Sequence, residues 1–251
     1  MLSGLALALA LAAAPAAGEP FAVVIDPGHG GDKEGAVSAD GAREKDVTLQ
    51  IARRLAARLK HQGARVILTR TGDSPVPLAQ RAALANAERA DVFVSIHLNS
   101  MPSRSQRARS RGVETFFLSA DATDASATAV AARENADRLA GEPDLDPGDP
   151  VAGILEDLEQ TASLAASSRL AQSIHESVVR GCDAEDRGVK QAPFYVLAGA
   201  RMPAVLLEVG FLSHPEEGKR LRNPQYQERI ARAVAEGLTR WRASARQASL
   251  R

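Results

Sequence analysis

FAVVIDPGHGGDKEGAVSADGAREKDVTLQIARRLAARLKHQGARVILTR, residues 21–70, carries the pattern from which the fold can be read. FAVVID (21–26) and RVILTR (65–70) are apolar runs of strand length, and between them Val47, Ile51, Leu55 and Leu59 fall four apart on one helical face. Asp46 is placed to cap that helix and Gly63 to stop it. Strand, helix, strand in continuous apolar runs, rather than in clean alternation, predicts parallel strands covered on both faces. Similar runs recur at 91–97 (DVFVSIH), 112–118 (GVETFFL), 194–199 (FYVLAG) and 204–211 (AVLLEVGF), so the expectation is a single α/β domain with a mainly parallel sheet. Ile230, Val234, Leu238 and Trp241 share one stripe, which reads as a helix packed on that sheet.

Between about 119 and 190 the pattern shifts to Ala-rich, charged helix formers without an evident strand, broken by GEPDLDPGDP (141–150). This reads as an inserted pair of helices joined where Gly, Pro and Asp crowd together. At the other end, MLSGLALALALAAAPAAGEP gives a short apolar run followed by small residues, the shape of a signal peptide over 1–18, although no Lys or Arg precedes it. An exported protein, periplasmic or extracellular, is expected.

The 251 residues are 45% hydrophobic and 25% charged, which suits one globular domain. Lys plus Arg equals Asp plus Glu at 31 each, so no global basic field exists to gather nucleic acid. The basic cluster Arg104, Arg107, Arg109 and Arg111 lies among serines and reads as a solvated loop. Cys182 is the single cysteine, so an internal disulfide is excluded and a metal would have to use His and carboxylate.

In a parallel α/β sheet, ligands gather outside the carboxyl ends of the strands. His29 follows the first strand, His97 closes DVFVSIH, Glu208 lies inside AVLLEVGF, and Glu44 opens a helix. Taken singly, either His reads as a hydrogen-bonded structural residue and Glu44 as a first-turn carboxylate favoured by the helix dipole. Glu208 resists that treatment, because a carboxylate in a central strand costs several kcal/mol unless it is paired or coordinated. Glycines on both sides of His29 leave space around the imidazole. Two imidazoles and a carboxylate suit Zn²⁺ with an open fourth position, and Glu208 would then be a spare carboxylate able to carry a proton.

The strings VVIDPGHGG (23–31), REKDVTLQIARRLAARL (43–59), VILTR (66–70), LAQRAALAN (78–86), DVFVSIHLNS (91–100) and PAVLLEVGFLSHPEE (203–217) resemble the zinc-dependent N-acetylmuramoyl-L-alanine amidases. The resemblance implies a twisted mixed sheet of about six strands flanked by helices. It also implies Zn²⁺ held by His29, Glu44 and His97, with Glu208 as the catalytic glutamate. The substrate implied is peptidoglycan, cut by a monomer between N-acetylmuramic acid and the stem-peptide L-alanine. ARENADRLAG (132–141) and VAGILEDLEQ (151–160) are similar to the segment of cell-division members in which a helix covers the cleft until a LytM-type activator protein displaces it. On that reading Ile154, Leu155 and Leu158 clamp the helix, and Glu156, Asp157 or Glu159 approaches the metal. Pro27 and His214 depart from common family residues, and His214 and His175 are expected on the surface. A peptidase or deacetylase using the same ligands, and an inactive wall-binding module, remain the competing readings.

Overall fold

A computed structural model describes residues 20–139 and 162–249. Six strands, β1 (Ala22–Pro27), β2 (Arg65–Leu68), β3 (Val92–Asn99), β4 (Val113–Leu118), β5 (Asp186–Ala192) and β6 (Ala204–Phe211), form one sheet in the order β2-β1-β3-β6-β4-β5. Four of the five pairings are parallel, and β4 runs antiparallel to β6. Among the described residues the helices are α1 (Glu44–His61), α2 (Leu78–Ala87), α3 (Arg104–Arg107), α4 (Ala125–Asn135), α5 (Ala162–Cys182), α6 (Pro215–Leu221) and α7 (Pro224–Ser249). Among the described residues no helix is long and apolar enough to cross a membrane.

β1, β3 and β6 are buried along their whole length, which is why their sequences are mainly apolar and show no polar solvent face. The period-2 alternation nonetheless separates two faces. Val23, Ile25, Val92, Val94, Ile96, Leu98, Val205, Leu207 and Val209 face α1, α5 and α7, and this side is apolar from end to end. On the other side, Val24, Phe93 and Leu206 pack with α2 and α4 at the amino-terminal half. There the rows then turn polar, at Asp26, Ser95, His97 and Glu208, all buried. The sheet therefore offers a polar floor on one face, at the carboxyl ends.

Three local expectations change. FYVLAG (194–199) forms no strand but a 3-10 turn, Tyr195–Leu197, while the neighbouring DRGVKQA is β5. β5 pairs with β4 at the sheet edge and is mostly half-buried, so it carries Arg, Lys and Gln and shows no apolar run. Pro193 ends it because proline cannot donate to the ladder. The strand-free stretch therefore stops before 186, short of 190. Second, α1 starts at Glu44, two residues before the expected cap: the amides of Glu44 and Lys45 donate to the carbonyls of Ala36 and Glu34, and Asp46 pairs instead with Arg43 at 3.0 Å. Loop backbone replaces the side-chain cap. Gly63 does end the helix, at φ 82°.

Third, His175 is buried between Thr115 Oγ1 (3.0 Å) and Asp186 Oδ1 (2.8 Å), a structural imidazole and not a surface one. His214 instead caps α6, its Nδ1 accepting from the amides of Glu216 and Glu217. α5, within the supposed insertion, buries Leu170, Ile174 and Val178 in the main core. It is a helix of the fold rather than an appendage.

Candidate metal centre

β1 and β3 are parallel neighbours, so the loop that leaves β1 at Gly28 lies beside the end of β3. A Cβ on Gly28 would stand 2.5 Å from the ring of His97, so the side-chain space that glycine vacates is filled by that imidazole. Gly35 does the same for His29, whose Cδ2 would be 2.4 Å from a Cβ there. The sequence reading of open space around His29 was thus half the matter: the space exists to bring two imidazoles together, their centroids 4.8 Å apart and edge to face. His29 adopts φ 61°, a left-handed conformation that costs a non-glycine residue on the order of 1–3 kcal/mol and persists where the surroundings over-determine it.

Glu44, at the head of α1, reaches between the two rings. Its Oε1 lies 2.9 Å from His29 Nε2 and 3.2 Å from His97 Nδ1, and accepts from the Leu98 amide at 2.7 Å. Its Oε2 accepts from the Ala36 amide at 2.8 Å. Glu208 is the register partner of His97 on β6 and shares the polar face of the sheet. All four residues expected from the sequence therefore stand at one point of the fold, 5% exposed or less.

A fifth was missed. Glu134, on α4, brings its Oε2 to 2.9 Å from His97 Nδ1 and 3.4 Å from His29 Nε2. One donor atom each from His29, Glu44, His97 and Glu134 lies within 4.8 Å of the others. The neighbouring donors are spaced 2.9–3.4 Å, close to the edge of about 3.3 Å that a tetrahedron with bonds of 2.0–2.1 Å requires. His29 Nε2, His97 Nδ1 and Glu134 Oε2 are buried and make no hydrogen bond in the structure, although each is within ion-pair distance of another group. Orphaned buried polar atoms are costly, and a cation at their centre would satisfy them together. The residues present thus fit a divalent metal with nitrogen and oxygen ligands.

The sequence did hold a signal for Glu134: it continues the buried stripe Ala127, Val130, Ala131 on α4, where a carboxylate is out of place. Glu156, Asp157, Glu159 and the clamp residues Ile154, Leu155 and Leu158 lie outside the described residues, as do the 141–150 joint and residues 1–18. Next to Glu134, Arg133 donates from NH2 to Glu208 Oε1 (3.3 Å) and from NH1 to the Ser100 carbonyl (3.2 Å). Asp137 Oδ2 meets His29 Nδ1 at 2.6 Å, a contact that leaves Nε2 to face the centre. The cavity left beside His29, His97 and Glu134 is about 10 Å³, room for roughly one water.

Charge in the metal-free centre is uneven. Burial pushes the Glu208 carboxyl well above the usual range, with the charge of Glu134 adding and Arg133 opposing. Burial works against a charged His97, but Glu134 and Glu44 outweigh it and raise the imidazole from 6.5 to about 10. Glu134 likewise overcomes its burial through His97 and His29, and falls from 4.5 to about 2. A raised His contributes stability that is complete below pH 6.5 and lost as pH climbs towards about 10. A depressed Glu contributes stability that is complete above pH 4.5 and lost as pH falls towards about 2. The melting temperature of the metal-free protein is therefore expected to be highest between these limits and to decline on both sides. Glu134→Gln should flatten the alkaline decline, and an unchanged alkaline limb in that variant would contradict the pairing.

The chain is similar over 218 residues to N-acetylmuramoyl-L-alanine amidase AmiA of Escherichia coli strain K12, at 36% identity, covering 86% of this chain and 74% of that protein. Among solved structures, an N-acetylmuramoyl-L-alanine amidase from Clostridium difficile 630 matches with a TM-score of 0.68 at 31% identity, over 90% of this chain and 98% of that one. The CwlD amidase from Clostridioides difficile, solved in complex with the GerS lipoprotein, matches with a TM-score of 0.67 at 27% identity, over 89% and 99%. With the family pattern described as N-acetylmuramoyl-L-alanine amidase running over residues 23–240, on a mixed six-stranded sheet whose carboxyl ends gather the His and Glu cluster, this chain belongs to that amidase family.

Proposed function

We propose that the chain is a zinc-dependent amidase that hydrolyses the bond between the lactyl group of N-acetylmuramic acid and L-alanine of the peptidoglycan stem peptide. The observation that carries this is the convergence of His29 Nε2, His97 Nδ1 and Glu44 Oε1 beside Glu208, the strand partner of His97, in a chain of this family. His29, Glu44 and His97 are the proposed ligands. Bound zinc supplies a Lewis acid that polarises the scissile carbonyl and brings the pKa of water to about 7. Glu208 takes the proton of the attacking water and delivers it to the leaving amine; its raised affinity for protons suits the second half of that task. Digestion of purified sacculi followed by mass analysis tests the reading. Free lactyl carboxylates with new L-alanine amino termini are expected, whereas release of acetate or cleavage within the stem peptide would replace it.

The resting form is inhibited on this proposal. α4 places Glu134 at the fourth position of the centre and Arg133 on Glu208, so one turn of helix meets both the ligand set and the proton carrier. Its apolar hold is modest: Ala127, Val130 and Ala131 are its buried apolar side chains, on the order of 4 kcal/mol at ~0.8 per buried carbon, and the rest of its docking is polar, through Asn135 as well as Arg133 and Glu134. A partner protein of the LytM type would supply the energy to displace it. That the CwlD structure contains a lipoprotein partner shows that a relative of this fold is engaged by another protein. Glu134→Ala is expected to raise basal hydrolysis about tenfold or more, a shift of roughly 1.4 kcal/mol in docking. Equal or lower activity in a folded, zinc-loaded variant would make α4 mere padding. We further propose export directed by residues 1–18, which the amino-terminal sequence of secreted material checks.

A further inference from the structure

The loop that carries His29 is gripped by cations from three different elements. Arg70, just after β2, donates from Nε to the Pro27 carbonyl (3.0 Å) and from NH2 to the Gly28 carbonyl (2.7 Å). Arg81, on α2, donates from NH1 to the Pro27 carbonyl (3.1 Å) and from NH2 to the carbonyl of His29 itself (3.0 Å). Lys45, on α1, donates from Nζ to the Gly31 carbonyl at 2.6 Å. Thr48 adds its hydroxyl to the Gly28 carbonyl at 3.1 Å. Arg70 and Arg81 are 3% exposed and Lys45 is 5% exposed, so none of these contacts is a solvated surface pairing.

A buried guanidinium needs a reason. Arg81 has a partner in Asp26 at 3.0 Å, and Asp26 is itself held by Ser95 and Thr69. Arg70 spends its donors on carbonyls and on Thr48, with no carboxylate within ion-pair distance among the described residues. Such an arrangement is costly to desolvate, and a hydrophobic residue of similar volume would stabilise a core as well or better. What the planar fork does supply is direction, with several N–H groups set at fixed angles against successive carbonyls. The loop lies in contact with it, since a Cβ on Gly30 would stand 3.0 Å from Arg70 Cδ. Arg70 fixes the two residues before His29, and Arg81 reaches the carbonyl of His29 itself, which holds a left-handed φ that its own side chain disfavours.

We propose that Arg70 and Arg81 are positioning residues of the metal centre: they hold the backbone of Pro27, Gly28 and His29 so that His29 Nε2 faces Glu44 and His97 before metal arrives. This rests on the reading of His29 as a ligand. Pre-organisation of this kind acts on metal affinity as well as on rate, and outer-shell changes cost about 10- to 100-fold in affinity.

The test is zinc affinity by chelator competition, with melting temperatures measured with and without zinc, for Arg70→Lys, Arg81→Lys and the milder Thr48→Val. Gln227→Ala, which removes the hydrogen bonds from α7 to Gln50 of α1 and to the Leu221 carbonyl and touches neither the His29 loop nor a proposed ligand, serves as a structural control. A purely structural role lowers the metal-free and zinc-loaded melting temperatures in parallel, as expected for the control. A positioning role also shrinks the gap between them, because that gap reports binding to the folded state. Zinc binding about 10- to 100-fold weaker in the Lys variants, and weakened to a smaller degree in Thr48→Val, is expected. Should a Lys variant fail to fold, Thr48→Val decides. Parent-like zinc affinity in the folded variants overturns the inference. A parent protein that binds no zinc, or a His29→Ala variant that still binds it tightly, overturns the ligand reading instead.

Discussion

Glu208→Gln is expected to retain one zinc per chain and the parent fold while hydrolysing sacculi about 10²-fold more slowly or worse, because it removes the proton carrier and leaves the ligands in place. The structure sharpens the stability side of this expectation. Glu208 is fully buried, and burial pushes its carboxyl towards the neutral form. An amide of the same shape therefore removes little that the metal-free fold depends on. Arg133 is not stranded by the change, since it keeps Glu134 at 2.9 Å and the Ser100 carbonyl at 3.2 Å. The metal-free melting temperature should accordingly equal or exceed that of the parent. Near-parent turnover would remove Glu208 from the mechanism, and loss of zinc would make it a ligand.

His97→Ala should abolish stoichiometric zinc and, with it, hydrolysis. The loss should exceed the roughly 10- to 100-fold in affinity that changes behind the ligands cost, because a donor atom itself is deleted. His97 also fills the space above Gly28, so some stability goes with it. Metal analysis of the folded variant separates the two effects. One tightly held zinc in His97→Ala would mean that Glu134 and the remaining groups suffice, and the ligand assignment would fall. The comparison with Glu134→Ala is informative here, since both residues lie against the same point yet the first variant should silence the enzyme and the second release it.

Much of this was written locally in the chain. The run FAVVID, the four-residue spacing from Val47 to Leu59 and the buried strands β3 and β6 needed only periodicity, because a strand covered on both faces has no solvent side to encode. His29 and His97 stood out because each breaks an apolar or glycine-rich stretch at a strand end, Glu208 because it is a carboxylate inside an apolar strand, and Glu44 because it opens the first helix; the carboxyl ends of the strands are where this class of sheet gathers its chemistry. Their mutual distances were not legible. His97 and Glu208 are 111 positions apart in the chain, and only the β3–β6 register makes them neighbours.

What the tertiary structure alone decided follows from where each partner comes from. β5 is an edge strand whose half-exposed residues leave no hydrophobic signature, so its pairing with β4 had to be seen. Arg133 and Asp137 read locally as ordinary charged positions in and just after an Ala-rich helix, and the place of Glu134 on the buried stripe marks it as unusual without saying what it meets; they become a plug because α4 docks over the polar end of the sheet. The grip of Arg70, Arg81 and Lys45 on the His29 loop is made of contacts between side chains and backbone carbonyls contributed by separate elements. A backbone carbonyl has no letter in the sequence. Periodicity and breaks in it therefore determined five of the strands, the first and last helices and four of the polar residues at the carboxyl ends of the sheet, while the edge strand, the convergence of those residues, and what covers and holds them, arose only when long-range packing set the elements side by side.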